Sequence, residues 1–202
     1  DVTTSIDEMV SELEQERPDM RAHAAPDGTV AILFSDIEDS TVLTERLGDE
    51  RWLEVLREHN SIFREQIARH DGYEVKSQGD GFMLAFPDPC GALECAIDVQ
   101  RAFAERERDG SGEVLRVRIG LHTGEVIAQE GDFFGKNVIL AARIAAQAAG
   151  GEILVSEELR RAASERDEDG LRFDEGRELE LKGLAGSHRV FRAEWAPEAA
   201  AA

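Results

Sequence analysis

The chain has 202 residues, of which 42% are apolar and 33% charged, and its formal net charge is −20 at pH 7. That length suffices for one domain with a sizeable core, and no apolar run approaches the roughly 18 residues a bilayer span needs. So acidic a balance argues against nonspecific binding of nucleic acid or anionic lipid, which both require basic surface; an anionic ligand would need metal or locally placed cations.

In chain order, SIDEMVSELEQE (5–16) reads as a short acidic amphipathic helix with Ser5 as its N-cap. RPDMRAHAAPDG carries two prolines and reads as a linker, so residues 1–27 are expected to precede the compact domain. No basic-then-apolar signal pattern opens the chain. TVAILFSDI is a continuous apolar run of strand length, hence a buried strand ending near Asp36. DSTVLTERLG and DERWLEVLREHNSIFREQIARHDG read as helices, the second long and closed by Gly72. YEVKSQGDGFMLAF reads as a hairpin turning at Gly79-Asp80-Gly81, ended by Pro87 and Pro89.

CGALECAIDVQRAFAERERD follows as an amphipathic helix. Its Cys90 and Cys95 face different ways at a spacing of five, so they are read as core filler without a disulfide, in a reducing cytoplasm. LRVRIGLHTGEVIA predicts a strand, a small-residue break and more strand. An apolar helix over 138–149, the strand GEILVS and the short helix EELRRAA come next. The end predicts two or three strands with a Lys182-Gly183 turn, and 196–202 a frayed tail. A hairpin inserted into a βα alternation suggests an α+β, ferredoxin-like or palm-like core over 28–195, its mostly antiparallel sheet flanked by helices.

Three positions stand out chemically. If the strands carrying Asp36 and Asp80 are neighbours, two carboxylates meet at one sheet edge, where they repel unless a proton or cation intervenes. Mg²⁺ or Mn²⁺ suits hard oxygen ligands of this kind and leaves positions open for phosphate. Arg143 lies in the middle of the apolar helix, and a buried guanidinium is costly unless something anionic meets it.

FSDIEDST, KSQGDGFM, RIGLHTGEV, GDFFGKNVILAAR and ELKGLAG occur together, in an order and spacing that resemble class III nucleotidyl cyclase catalytic domains, most of all the bacterial, mycobacterial-type adenylyl cyclases. The resemblance covers roughly 28–195. It implies that Asp36, the main-chain carbonyl of Ile37, and Asp80 hold two Mg²⁺ or Mn²⁺ ions per site. It also implies that Arg143 steadies the transition state, that Lys182 holds the terminal phosphates, and that Lys76 and Asp132 read the base. A donor beside an acceptor matches adenine, whereas guanine reverses both, so ATP is the expected substrate and cyclic AMP the product. The helix after EDST adds N-terminal amides suited to phosphate.

One position departs from the pattern G-x-x-V-N-x-A-A-R: Ile139 stands where an asparagine is usual. Asn137 lies roughly 200° around the helix from that position, so it replaces the asparagine only if the helix begins late. Lys76 and Asp80 are expected on one face of a strand, about 13 Å apart, a span that one nucleotide matches. The resemblance implies instead a head-to-tail homodimer with two sites, Asp36 and Asp80 from one chain and Lys76, Asp132, Arg143 and Lys182 from the other. Rival readings are a nucleotide-binding regulatory module with little turnover, a guanylyl cyclase, and a diguanylate cyclase. The acidic composition predicts no nucleic acid partner, and this segment no membrane span.

Overall fold

The structure, a computed structural model, describes residues 5–125, 133–166 and 170–196. Helix α1 (Ser5–Glu16) leads through a 3-10 turn (Arg21–His23) to strand β1 (Thr29–Ile37). Helices α2 (Ser40–Leu47) and α3 (Asp49–Arg69) precede the hairpin of β2 (Tyr73–Gln78) and β3 (Gly81–Phe86). Helix α4 (Pro89–Asp109), β4 (Val117–Glu125), α5 (Phe133–Gln147), β5 (Ile153–Ser156) and α6 (Glu157–Ser164) follow, and β6 (Arg177–Glu180) and β7 (Ser187–Arg192) close the chain.

The strands form one seven-stranded sheet in the order β2-β3-β1-β4-β5-β7-β6. Only the β4–β5 pairing is parallel. The first four strands reproduce the expected split βαβ arrangement, with β3 lying between β2 and β1. Among the described residues no helix is long and apolar enough to cross a membrane.

Strand β1 is apolar along its length because both its faces are covered. Alternation sends Ala31 and Leu33 into one cluster and Val30, Ile32 and Phe34 into another. The first cluster lies against α3 and α4 through Val55, Phe63, Leu93 and Phe103. The second is closed by α1 (Ile6, Met9, Val10, Leu13) and α5 (Val138, Ala141, Ala142, Ala145). The N-terminal helix is therefore seated on the sheet, and the stretch behind it is tied down as well. Met20 is buried and His23 stacks on Tyr73 with ring centroids 3.7 Å apart.

Two local expectations change. Ser5 is the first helical residue, and its hydroxyl reaches across the fold to Asp80. Strand β4 runs unbroken through Thr123 and Gly124. Its small residues serve close packing: a Cβ at Gly120 would lie 2.2 Å from the Ala145 backbone nitrogen, so α5 sits on β4 at backbone distance. Helix α4 is capped by Asp88, whose carboxylate accepts from the amides of Cys90 and Gly91, with Pro89 in the first turn. Cys90 is half-buried with its thiol on Glu94, Cys95 is buried, and neither is in a disulfide.

His59 is fully buried among Phe63, Phe82 and Phe103. Its Nδ1 meets Asn60 Oδ1 at 2.9 Å, and its Nε2 has no hydrogen-bond partner. Burial pushes the imidazole down to about 4, outweighing the Asn60 contact. The unfolded chain takes up a proton near pH 6.5 that the native state refuses, so native stability falls as pH drops through that window toward 4. His59→Phe should therefore gain on the wild type by about 2–3 kcal/mol between about pH 7.5 and about pH 4.5. Urea unfolding at both pH values measures this, and parallel pH profiles would refute it.

Candidate functional site

The end of β1 and the tip of the β2–β3 hairpin meet because β3 pairs with β1, with Ser35 opposite Phe82. Gly79, at φ 57°, permits the tight two-residue turn that presents Asp80. The Ile37 amide donates to Asp80 Oδ2 at 2.9 Å. Asp36 and Asp80 are only 2% and 5% exposed, so the two carboxylates share a buried corner.

The third member of this corner is Arg118, directly opposite Asp36 on β4. Its Nε and Nη2 donate to the two Asp36 oxygens at 2.7 and 2.5 Å. Burial nevertheless drives the Asp36 carboxyl above its ordinary range, Arg118 opposes that shift, and the charge of Asp80 adds to it. One guanidinium against two buried carboxylates leaves negative charge that a divalent cation would balance. The donors at hand are all oxygen: Asp36, Asp80 and the Ile37 carbonyl. Such a set fits Mg²⁺ or Mn²⁺. Arg118 was missed in the sequence. The signal for it was an arginine between Val117 and Ile119, in the apolar first half of the strand.

Arg143 answers to a carboxylate. Its Nη1 donates to Asp7 Oδ1 at 2.9 Å, while its buried Nε has no hydrogen-bond partner. Lys76 is clasped by Glu12 and, at 3.5 Å, by Glu16; the Glu12 hydrogen bond raises its pKa. The Ser5 hydroxyl donates to Asp80, and Gln78 donates to Glu8 at 3.2 Å. One helix thus bridges to Lys76, Asp80 and Arg143. Lys76 and Asp80 do not share a regular strand face as expected, since β2 ends at Gln78 and its pairing shifts between Glu74 and Lys76.

Lys182 is not brought to this corner. It is exposed in the turn after β6, which is the opposite edge strand from the β2 of Lys76. Asp132 lies outside the described residues. Ile139 is half-buried and packs against the cluster that α1 closes. Helix α5 begins before Asn137, not later. The Asn137 amide is committed to His122 Nε2, at 2.9 Å, and to the Glu125 carbonyl, at 2.8 Å. A Cβ at Gly124 would fall 2.5 Å from Asn137 Oδ1, so the glycine admits this amide. His122 also meets Ser156 Oγ at 2.9 Å, and burial lowers its pKa. The HTG stretch therefore fastens β4 to α5 and α6. At the start of α2, Asp39 is left-handed and makes no side-chain cap, which leaves its carboxylate off the first-turn amides.

Comparison with known proteins gives a consistent answer. The family model for the adenylate and guanylate cyclase catalytic domain matches residues 22–192. An adenylate cyclase of Lachancea kluyveri is 38% identical over 157 residues, covering 66% of this chain and 8% of that protein. The chain spans less than a tenth of the length of the first curated relatives it matches. Among solved structures, a Trypanosoma brucei adenylate cyclase described in its monomeric state superposes with a TM-score of 0.74 at 26% identity, covering 89% of this chain and 96% of the other. The adenylyl cyclase CyaB from P. aeruginosa gives 0.72 at 21% identity, covering 84% and 95%, a likeness of fold.

The Asp36–Arg118 pair carries a stability prediction. Arg118→Met strands a buried carboxylate and should cost about 3 kcal/mol. Adding Asp36→Asn should recover much of that loss, because it removes the carboxylate that Arg118 paired with directly. Chemical denaturation of the two variants checks it. A single variant as stable as the wild type would show that the pair contributes nothing.

Proposed function

This chain belongs to the adenylate and guanylate cyclase catalytic domain family, and we propose that it is an adenylyl cyclase, converting ATP to 3′,5′-cyclic AMP and pyrophosphate. The observation that carries this reading is the buried pair Asp36 and Asp80, juxtaposed where β1 and the hairpin end. Asp36, Asp80 and the Ile37 carbonyl would hold two Mg²⁺ or Mn²⁺ ions per site. Bound there, the ions supply a lowered pKa at the ribose 3′-hydroxyl and charge neutralisation of the triphosphate.

The protein's own groups do the positioning. Lys76 donates to N1 of adenine and Asp132 accepts from its 6-amino group; guanine presents the reverse pattern and leaves both unmatched. Arg143 faces the α-phosphate, where negative charge gathers as the 3′-oxygen attacks in line and the bond to pyrophosphate breaks. Its unpartnered Nε supports that role, since a guanidinium serving only Asp7 would not keep a buried donor in reserve. Lys182 takes the terminal phosphates, and the open first turn of α2 adds amides to them.

The site is completed by a second copy in a head-to-tail homodimer. Asp36 and Asp80 come from one chain, and Lys76, Asp132, Arg143 and Lys182 from its partner. Two features support this: Lys182 follows the far edge strand, and Lys76 and Arg143 are held by α1 rather than turned toward their own chain's Asp36. The net charge of −20 disfavours nonspecific binding of nucleic acid, and cytoplasmic residence fits cysteines outside any disulfide.

One observation favours a second reading, a nucleotide-binding module with little turnover. Ile139 cannot donate to the ribose, and Asn137 is occupied elsewhere. A missing contact of this kind costs about 2–4 kcal/mol of transition-state stabilisation. Cyclic AMP formation from ATP with Mn²⁺, run beside GTP, separates the readings.

Asp36→Ala or Asp80→Ala should reduce that turnover to background even with Mn²⁺ in excess. Full activity in either variant would sink the metal assignment. Lys76→Glu combined with Asp132→Gly should move the preference toward GTP, read as the ratio of kcat/KM values. An unchanged preference for ATP would remove the base-reading role.

A further inference from the structure

Helix α1 lies where the proposed reaction needs open space. Ser5, Glu8, Glu12 and Glu16 are spaced by three or four residues, so they form one stripe along the helix. That stripe runs beside the hairpin strand and touches Asp80, Gln78 and Lys76 in reverse order. The lengths agree: from Glu8 to Glu12 the helix rises about 6 Å, and from Lys76 to Gln78 strand β2 covers about 6.6 Å. Asp7 reaches to the other side, to Arg143.

The chemistry of these contacts matches that of the proposed ligands. Carboxylates occupy Lys76 and Arg143, the cations assigned to base and phosphate, and a hydroxyl occupies Asp80, assigned to metal. Contact with α1 competes with the proposed ligands at each of the three: Glu12 takes the Lys76 ammonium, Ser5 one Asp80 oxygen, and Asp7 the Nη1 edge of Arg143. The apolar side of the helix covers the sheet beside them. Ile6, Met9, Val10 and Leu13 are buried with Ile32, Phe34 and Met83.

We propose that α1 is an autoinhibitory strap, which holds the substrate and partner face closed until it is displaced by a second copy of this chain. The inference rests on the cyclase reading for what is inhibited, and on the contacts of α1 alone for what is displaced. The occupant is a second copy because the face freed by α1 is continuous with Lys76 and Arg143. These are the two cations that, once released from Glu12 and Asp7, meet the nucleotide held by a partner's Asp36 and Asp80. The strap is built to yield. Its acidic groups stay 41–65% exposed while Lys76 and Arg143 are 17% and 25% exposed, so each pair keeps one end in water, where salt screens it. Ile139 gains a rationale here, because it packs against the cluster that seats α1, at the position where an asparagine would serve the ribose.

The test uses the full chain with Asp7→Asn, Glu12→Gln and Glu16→Gln combined. These are isosteric changes at exposed positions that leave the core and every proposed site residue intact. Amide hydrogen exchange over residues 5–16 should quicken at least tenfold while β1 stays protected. The dimer fraction in sedimentation should rise at equal concentration, and cyclic AMP formation at subsaturating ATP should rise at least threefold. A helix that stays protected, or one that loosens with no gain in dimer, overturns the strap. Loosening with more dimer but no turnover in either protein leaves the strap standing and removes the cyclase reading instead.

Discussion

The placement of β1 between β3 and β4 governs this molecule. Pairing with β3 brings the hairpin tip to the end of β1, and pairing with β4 sets Arg118 opposite Asp36. Neither carboxylate could stay buried without that arrangement. An isolated buried charge costs several kcal/mol even after relaxation, so the corner depends on its guanidinium in the absence of a bound cation. The apolar faces of β1 make the strand immobile, which fixes the corner to the core rather than to a loop. Rigid support of this kind holds a charged site in one geometry, where a flexible one would let the two carboxylates drift apart.

The same sheet sets the candidate site residues apart. Asp36 and Asp80 sit at β1 and the hairpin, Lys76 on one edge strand, and Lys182 beyond the other. Helix α5 lies over the middle, pressed onto β4 by Gly120 and pinned by His122 and Asn137. Arg143 inherits its position from that packing. In the proposed homodimer, acids and cations set apart on one chain would each meet the opposite kind on the second copy.

Much of the fold was legible because its signals are local. The run TVAILFSDI reads as a doubly covered strand, and GDG as a turn between strands, from hydrophobic pattern and glycine alone. The small residues of RIGLHTG misled, since they read as a break. Glycines within a strand can instead mark a helix packed at backbone distance, as Gly120 does here, or room for a side chain, as Gly124 leaves for the Asn137 amide. Among the candidate site residues, the meeting of Asp36 with Asp80 follows from strand adjacency, which the hairpin suggests. The partners of Arg143 and Lys76 were not legible. Asp7 and Glu12 lie 136 and 64 positions away in the sequence, in a helix whose docking no local pattern records. Arg118 was legible in principle as a charge in the apolar first half of a strand, but its role emerges only from cross-strand register.

The excess of acid over base ties these points together. With 43 acidic against 23 basic side chains, any cation kept for a nucleotide must also be kept from the chain's own carboxylates. Many of the arginines are instead paired with carboxylates at the surface, as Arg64 is with Glu74 and Arg116 with Glu107. Lys76 and Arg143 are different, because their carboxylates all come from one short helix that a limited motion would withdraw together. Distributed partners would have to be displaced one by one by an incoming phosphate. Gathered on α1, they make release a single event, and its free energy can be set by how well four apolar side chains seat on the sheet. In such a design the acidic contacts fix the register of the closed position, and together with the apolar seat they set how often it opens.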